Sequence, residues 1–403
     1  MGTPKAIIFL GDGMADEPIP ELDDKTPLQH AHTPAMDSIA RDGCSGTLLT
    51  LPEGFPTSSD VANMSVLGCD LATEFTGRGP LEAAGRRIVL GPDDIALRLN
   101  LTTQEGDILK DYSAGHIEPQ DARALLEYLS AQFEHADICF YPGVSFRNLL
   151  VISGETYSDR VATDKPDDNV GNAVSQHLPK AMDPGAEATV KILRDLIVAA
   201  PQILAPHPVN QRRIAEGKPP ANGVWPWSPG RAGALRTLQS RYGVHGAVIS
   251  AVDVITGLGV CLGMQIIPVD GATGYIDTNY EGKADAAVAA LHNHDFVFLH
   301  VEAMDEVSHE QDLKKKLQAI EDFDRRVVGR VLDAIDHGVT VAVLPDHPVP
   351  LASGVHTRTP VPVALRKSGM PADAVTTFDE IACKRGSLGA MQTDGLMKAI
   401  FEA

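Results

Sequence analysis

The chain has 403 residues, 43% of them hydrophobic, and a formal net charge of −20. Such a length exceeds one simple core and points to two domains. The negative charge excludes nucleic acid as a partner, and no apolar stretch approaches the ~18 residues that a membrane span needs. Five scattered cysteines without a CxxC pair exclude a disulfide framework or a cysteine zinc site, and fit a reducing cytoplasm.

In chain order, residues 6–10 are a short apolar run, Ala6 to Leu10, that stops at Gly11-Asp12-Gly13. The run is too short for a secretory segment and has the length of a buried strand. Around residue 59, Ser58-Ser59-Asp60 reads as a helix start with serine at the cap. Helices are predicted over 118–133, 188–200, 283–292 and 313–336, and strands over 137–141, 148–152, 247–250, 296–301 and 339–344. Residues 155–187 and 205–231, rich in Pro and Gly, are predicted to be long loops; the second contains Trp225 and Trp227. This alternation predicts α/β domains with mainly parallel sheets.

Three predicted strands run straight into polar clusters: Gly11-Asp12-Gly13 after the first, Glu302 to Asp305 after 296–301, and Pro345-Asp346-His347 after 339–344. Ligands in open α/β sheets bind at the carboxyl ends of strands, so these distant segments can converge on one edge. Asp305 and His309 are four apart and share a helix face. Each member also has an ordinary reading: a surface Asp–His pair, a proline-flanked turn at Asp346, a loop histidine at His356, an Asp-Gly turn at Asp12. Together they offer three Asp and three His, a donor set better suited to Mn²⁺ or Zn²⁺ than to Ca²⁺ or copper. A serine at a helix N-terminus, where N–H groups favour phosphate, would supply a nucleophile; an ordinary capping serine is the alternative.

At this point the motifs resemble the cofactor-independent (2,3-bisphosphoglycerate-independent) phosphoglycerate mutases, specifically the archaeal-type branch of the alkaline phosphatase superfamily. The resemblance covers essentially the whole chain. It rests on Gly11-Asp12-Gly13, Pro56 to Asp60, Thr76 to Pro80, His207 to Asn210, Gly271 to Gly274, Asp305-x3-His309, Asp346-His347 and His356 to Pro362, in family order. It implies an alkaline-phosphatase-like three-layer α/β/α domain, from residues 1–80 and 260–403, with an inserted α/β domain at 81–259 that binds substrate and closes over the site. It implies two divalent metal ions, Mn or Zn ahead of Co or Mg. One would be held by Asp305, His309 and His356, the other by Asp12, Asp346, His347 and Ser59. Ser59 would be the phosphorylated nucleophile in a mutase that interconverts 2- and 3-phosphoglycerate. Lys283, Arg98, Asn100, Arg147 and His116 would contact the small phosphorylated substrate.

One motif departs from the pattern. An arginine-rich Asp-Arg-Arg-Ala-Gly-Arg stretch is expected in the insert, and this chain has Asp111-Tyr112-Ser113-Ala114-Gly115-His116. Arginine forks are the usual partners of phosphate and carboxylate. The wording resembles a bacterial sub-branch proposed to act as a homoserine kinase. Phosphotransfer to homoserine, a phosphatase of the same superfamily and a non-enzymatic binding module are therefore the rival readings. No GxxxxGK[ST] loop is present for nucleotide binding.

Overall fold

The computed structural model describes residues 5–233 and 235–402. The chain divides into two compact units, Met1–Phe75 with Ala234–Ala403, and Thr76–Gly233.

The first unit is built on an eight-stranded sheet. Its centre is three parallel strands, Ala6–Gly11 flanked by Phe296–Val301 and Thr340–Leu344. Beyond Phe296–Val301 lie Gly246–Ile249 and the short Gln265–Ile266, also parallel. Beyond Thr340–Leu344 the sheet reverses through antiparallel Val361–Arg366 onto Cys44–Leu49, and ends at Gly389–Gln392. Residues of the three central strands are buried on both faces, as expected of strands covered on either side. Ile7, Phe9, Val297, Leu299, Val341 and Val343 pack against the helices Pro34–Arg41, Tyr280–Asn293 and Leu313–Asp322. The alternate residues face the other way: Phe296 meets Phe401 of the Gly395–Phe401 helix, and Val248 lies under Gly259 of Asp253–Cys261. The first unit is thus a three-layer α/β/α body.

The second unit differs from the mainly parallel expectation, because its sheet is antiparallel. Ile95–Glu105 is central, pairing with Arg147–Ile152 on one side and Gly223–Arg231 on the other. Ile138–Val144 and Arg147–Ile152 are joined by two residues, and a parallel pair would need a crossover of a dozen or more. The helices Pro119–Gln132 and Glu187–Leu204 bury Leu125, Leu129, Leu193 and Leu196 against Leu97, Leu99 and Leu150.

Three further expectations shift. The 205–231 segment is a helix, Pro208–Ala215, followed by the strand Gly223–Arg231. Pro226 and Pro229 disguised that strand; it pairs with Ile95–Glu105, and prolines are tolerated in edge strands. The 155–187 segment contains the short strand pair Val161–Ala162 and Lys180–Ala181, with two single helical turns between its strands and a third after them. The helix expected over 313–336 ends its regular part at Asp322 and continues as the π-helical turn Phe323–Gly329. The unit boundaries also differ from the expected junctions. The strand Gly246–Ile249, placed in the insert from sequence, pairs with Phe296–Val301 in the first unit's sheet.

Candidate metal centre

The carboxyl ends of the three central strands deliver the site. Asp12 follows Ala6–Gly11, and Asp346 and His347 follow Thr340–Leu344. After Phe296–Val301 the chain enters the helix Ala303–His309, which carries Asp305 and His309 one turn apart. His356 comes from the segment before Val361–Arg366. Gly13 allows the close approach: its φ is +63°, and a Cβ there would lie 2.6 Å from Asp305 Cα. Its N–H donates to Asp346 Oδ1 at 3.2 Å.

Two groups of side chains result. In the first, Asp305 Oδ2 is 3.3 Å from His309 Nε2 and Asp305 Oδ1 is 3.3 Å from His356 Nε2. The two Nε2 atoms are 3.0 Å apart. His309 Nδ1 faces the Gly354 carbonyl at 2.7 Å, which fixes the ring's orientation and directs Nε2 inward toward Asp305. In the second, His347 Nε2 lies 3.4 Å from both Asp12 Oδ1 and Asp346 Oδ2. The groups touch, since the His347 and His356 rings stack with centroids 3.8 Å apart. Ser59 is the first residue of the helix Ser59–Val66, and its Oγ is 3.2 Å from His347 Nε2. Ser58 is the cap but makes no side-chain cap bond. Asn63 ties the helix to the site, donating to Asp346 Oδ2 at 2.9 Å and to the Ser59 carbonyl at 2.8 Å.

Sequence reasoning missed His300. It sits within the strand Phe296–Val301, where it looked like one more sheet residue. Its Nε2 is 2.9 Å from Asp12 Oδ2 and its Nδ1 is 3.1 Å from Ser250 Oγ. It orients the Asp12 carboxylate, leaving Oδ1 toward His347. A period-two reading could have flagged it, because a buried histidine in an apolar strand needs partners. Lys316 was missed as well. Fully buried, it donates to Asp16 Oδ2 at 2.8 Å and to the Val349 carbonyl at 2.9 Å, joining the loop after Asp12 to the loop after His347.

The electrostatics are those of a site crowded with buried carboxylates. Burial, then Asp346 and Asp305, pushes the Asp12 carboxyl well above its usual range. Burial lifts Asp346 to about 6. Burial alone would raise Asp305 too, but the adjoining His309 and His356 outweigh it and hold Asp305 well below its usual range. Burial, and then His356, keeps His347 neutral well below the usual imidazole value, and burial drives His300 down to about 3. Asp12 Oδ1 and Asp305 Oδ1 are buried without a hydrogen-bond donor. Orphaned carboxylate oxygens beside imidazole nitrogens fit divalent metal ions, which would satisfy both at once. Ligand atoms of Asp305, His347 and His356, and of Asp12, Asp346 and His347, lie within 4.8 Å of one another.

Of the expected substrate contacts, Lys283 belongs to the first unit and Arg98, Asn100, Arg147 and His116 to the second. Lys283 is fully buried in the first unit, its Nζ donating to the His300 carbonyl at 3.0 Å, and burial lowers its ammonium to about 8. Arg98 and Asn100 are buried on the central strand of the second unit. Arg98 pairs with Glu82 at 2.7 Å and lies over the Trp227 ring; Asn100 accepts from Trp227 Nε1 at 3.0 Å. Exposed Arg147 covers the Phe146 ring, and exposed His116 meets the same ring edge-on in a turn that Asp111 holds by accepting from Ser113 and Gly115.

A mixed α/β body with an Asp/His centre and a serine at its rim defines the class as a metal-site α/β protein. A family model for 2,3-bisphosphoglycerate-independent phosphoglycerate mutase matches residues 40–210. A curated protein of that name from Methanosarcina acetivorans is 47% identical over 397 residues, covering 98% of each chain. Among solved structures, a Pyrococcus horikoshii protein superposes with a TM-score of 0.83 at 27% identity, covering 99% of this chain and 97% of that one. A cofactor-independent phosphoglycerate mutase from Thermoplasma acidophilum gives 0.66 at 27% identity and 99% of each. The chain belongs to the 2,3-bisphosphoglycerate-independent phosphoglycerate mutase family. Among the described residues, no helix is long and apolar enough to cross a membrane.

Proposed function

We propose that this protein interconverts 2- and 3-phosphoglycerate through a phosphoserine at Ser59. The observation that carries the reading is the 3.2 Å approach of Ser59 Oγ to His347 Nε2, the side chain that adjoins both carboxylate groups. Asp305, His309 and His356 would hold one divalent ion, and Asp12, Asp346, His347 and Ser59 a second, with manganese or zinc preferred to cobalt or magnesium. Bound there, the ions would lower the Ser59 hydroxyl pKa and neutralise charge on the phosphoryl oxygens.

Ser59 Oγ forms a bond to phosphorus as the ester oxygen of phosphoglycerate leaves. Ser59 gives up a proton and the departing glycerate hydroxyl takes one up, so the half-reaction is balanced. The other glycerate hydroxyl then attacks the phosphoserine, returning the phosphoryl group to the neighbouring carbon and a proton to Ser59. Asn63 and the helix Ser59–Val66 keep Oγ in place through both transfers. Lys283, Arg98, Asn100, Arg147 and His116 are the proposed substrate contacts, and the inserted unit the substrate-binding one. The Asp111–His116 loop, with Tyr112, Ser113 and His116 where arginines are expected, favours a second reading, transfer to an acceptor such as homoserine.

The deciding assay supplies purified protein and Mn²⁺ with 3-phosphoglycerate, or with homoserine and a phosphate donor, and follows inorganic phosphate in both. Formation of 2-phosphoglycerate is expected, with a phosphoenzyme that Ser59→Ala abolishes and Ser58→Ala leaves intact. Absence of 2-phosphoglycerate at every metal loading would overturn the mutase reading. Homoserine phosphate in its place would establish the second.

A further inference from the structure

We infer that Arg358 is a positioning residue for Ser59, holding the loop that delivers the serine against the segment that carries His356. The inference rests on the phosphoserine reading above. The chain between Cys44–Leu49 and the Ser59 helix is irregular. Three of its carbonyls accept from one guanidinium: Leu51 O at 3.2 Å and Pro52 O at 2.7 Å from Arg358 Nη1, and Phe55 O at 2.6 Å from Nη2. Arg358 lies two residues after His356, whose Nε2 faces Asp305. One side chain therefore links the approach to Ser59 with a strand-end segment of the metal centre.

The residue type matters. A planar guanidinium presents donors in a fixed fork and can span Pro52 and Phe55 at once, whereas a lysine ammonium is a single point that serves one of them. Among the described residues no carboxylate pairs with Arg358, so its contacts serve the loop alone. The loop is otherwise pinned at its ends, by Ser65 Oγ donating to Thr50 O at 2.7 Å and by the Phe55 ring set edge-on to Phe75 at 5.9 Å. Misplacing a nucleophile by about 1 Å costs on the order of a hundredfold in rate. A loosened loop is therefore read as slower phosphorylation of Ser59, with metal binding spared.

The test compares wild type, Arg358→Ala and Arg358→Lys, each metal-loaded. It measures amide hydrogen exchange over residues 50–58, the single-turnover rate of Ser59 phosphorylation, metal content and KM. Both variants are expected to exchange faster in that segment and to phosphorylate Ser59 roughly 10–100-fold more slowly, with metal content and KM near wild type. Added guanidinium ion should partly restore Arg358→Ala and leave Arg358→Lys unrescued. Arg358→Lys keeps the positive charge and serves as the folded control if the alanine variant is unstable. Unchanged exchange, or phosphorylation within twofold of wild type, would overturn this inference alone. A wild type that never carries phosphate on Ser59 would overturn the phosphoserine reading and this inference with it.

Discussion

The buried carboxylates of the two units meet opposite electrical conditions. In the first unit, Asp12, Asp346 and Asp305 crowd one sheet edge beside His309, His347 and His356, and Asp12 Oδ1 and Asp305 Oδ1 lack a donor. In the second, Arg98 is paired with Glu82, and Asn100 is bonded to Trp227 and to the Tyr112 carbonyl. Burial pushes Glu82 up, but Arg98 and then Arg78 outweigh it and hold the carboxyl down at about 2. A buried charge left unbalanced is kept at a cost in stability, and that cost points to a ligand. A buried charge already balanced is explained by the scaffold.

The sharpest way to break this contrast is Asp12→Asn. It removes one of three crowded carboxylates while keeping shape and the hydrogen bond with His300. Activity is expected to fall roughly a thousandfold with loss of bound metal, read by turnover and by elemental analysis. The metal-free variant should nonetheless melt higher than metal-free wild type, because the repulsion with Asp346 is gone. A metal-free variant that melts lower would mean that the pair shares a proton as a structural bond and is not held poised for a cation.

Arg98→Met tests the other side. It leaves Glu82 buried with Arg78, at 2.8 Å, and with the charge of Arg86. The cost is about 3 kcal/mol, at the low end for removing one partner of a buried pair, because Arg78 remains. Urea denaturation measures it. If stability were instead unchanged while KM rose tenfold, Arg98 would be a substrate contact first and a scaffold residue second, as the family resemblance implies.

How far the sequence could be read follows the same division. The convergence of the Asp and His side chains was legible because these residues sit just past the apolar runs, where a strand must end and a polar group needs a reason. The three strands proved adjacent and parallel, so their ends met. His300 was illegible because it lies within such a run, and its partners Asp12 and Ser250 are remote in sequence. The antiparallel second sheet was misread for a local reason. Alternating helices and strands look alike whether a strand is followed by a helix or by a two-residue turn such as that around Ser145, with φ of 57°. Gly223–Arg231 was lost to its prolines, which mark an edge strand as readily as a loop. Arg358 and Lys316 act on backbone carbonyls, and no sequence pattern announces which carbonyls a long side chain will reach.

The smallest effect concerns a buried carboxyl that lies behind the metal centre. Glu380 accepts from Thr26 Oγ1 at 2.6 Å and from the Asp16 amide at 2.9 Å, next to the Lys316–Asp16 pair. Burial, only partly opposed by those bonds, raises it from 4.5 to about 7. Between those values the folded protein holds a proton that the unfolded chain has released. Stability contributed by this group is therefore full below pH 4.5, declines as pH rises through the window, and is lost above pH 7. A glutamine keeps an oxygen for the Asp16 amide and carries no charge to desolvate. Glu380→Gln should accordingly stabilise the protein by about 1–2 kcal/mol at pH 8, against a ceiling of roughly 3 kcal/mol set by the size of the shift, and by nearly nothing at pH 4.5. Urea unfolding at the two pH values reads the difference. A variant less stable than wild type at pH 8 would place a charged Glu380 in service to Lys316, and would extend the balanced-charge pattern of the second unit into the support of the metal centre.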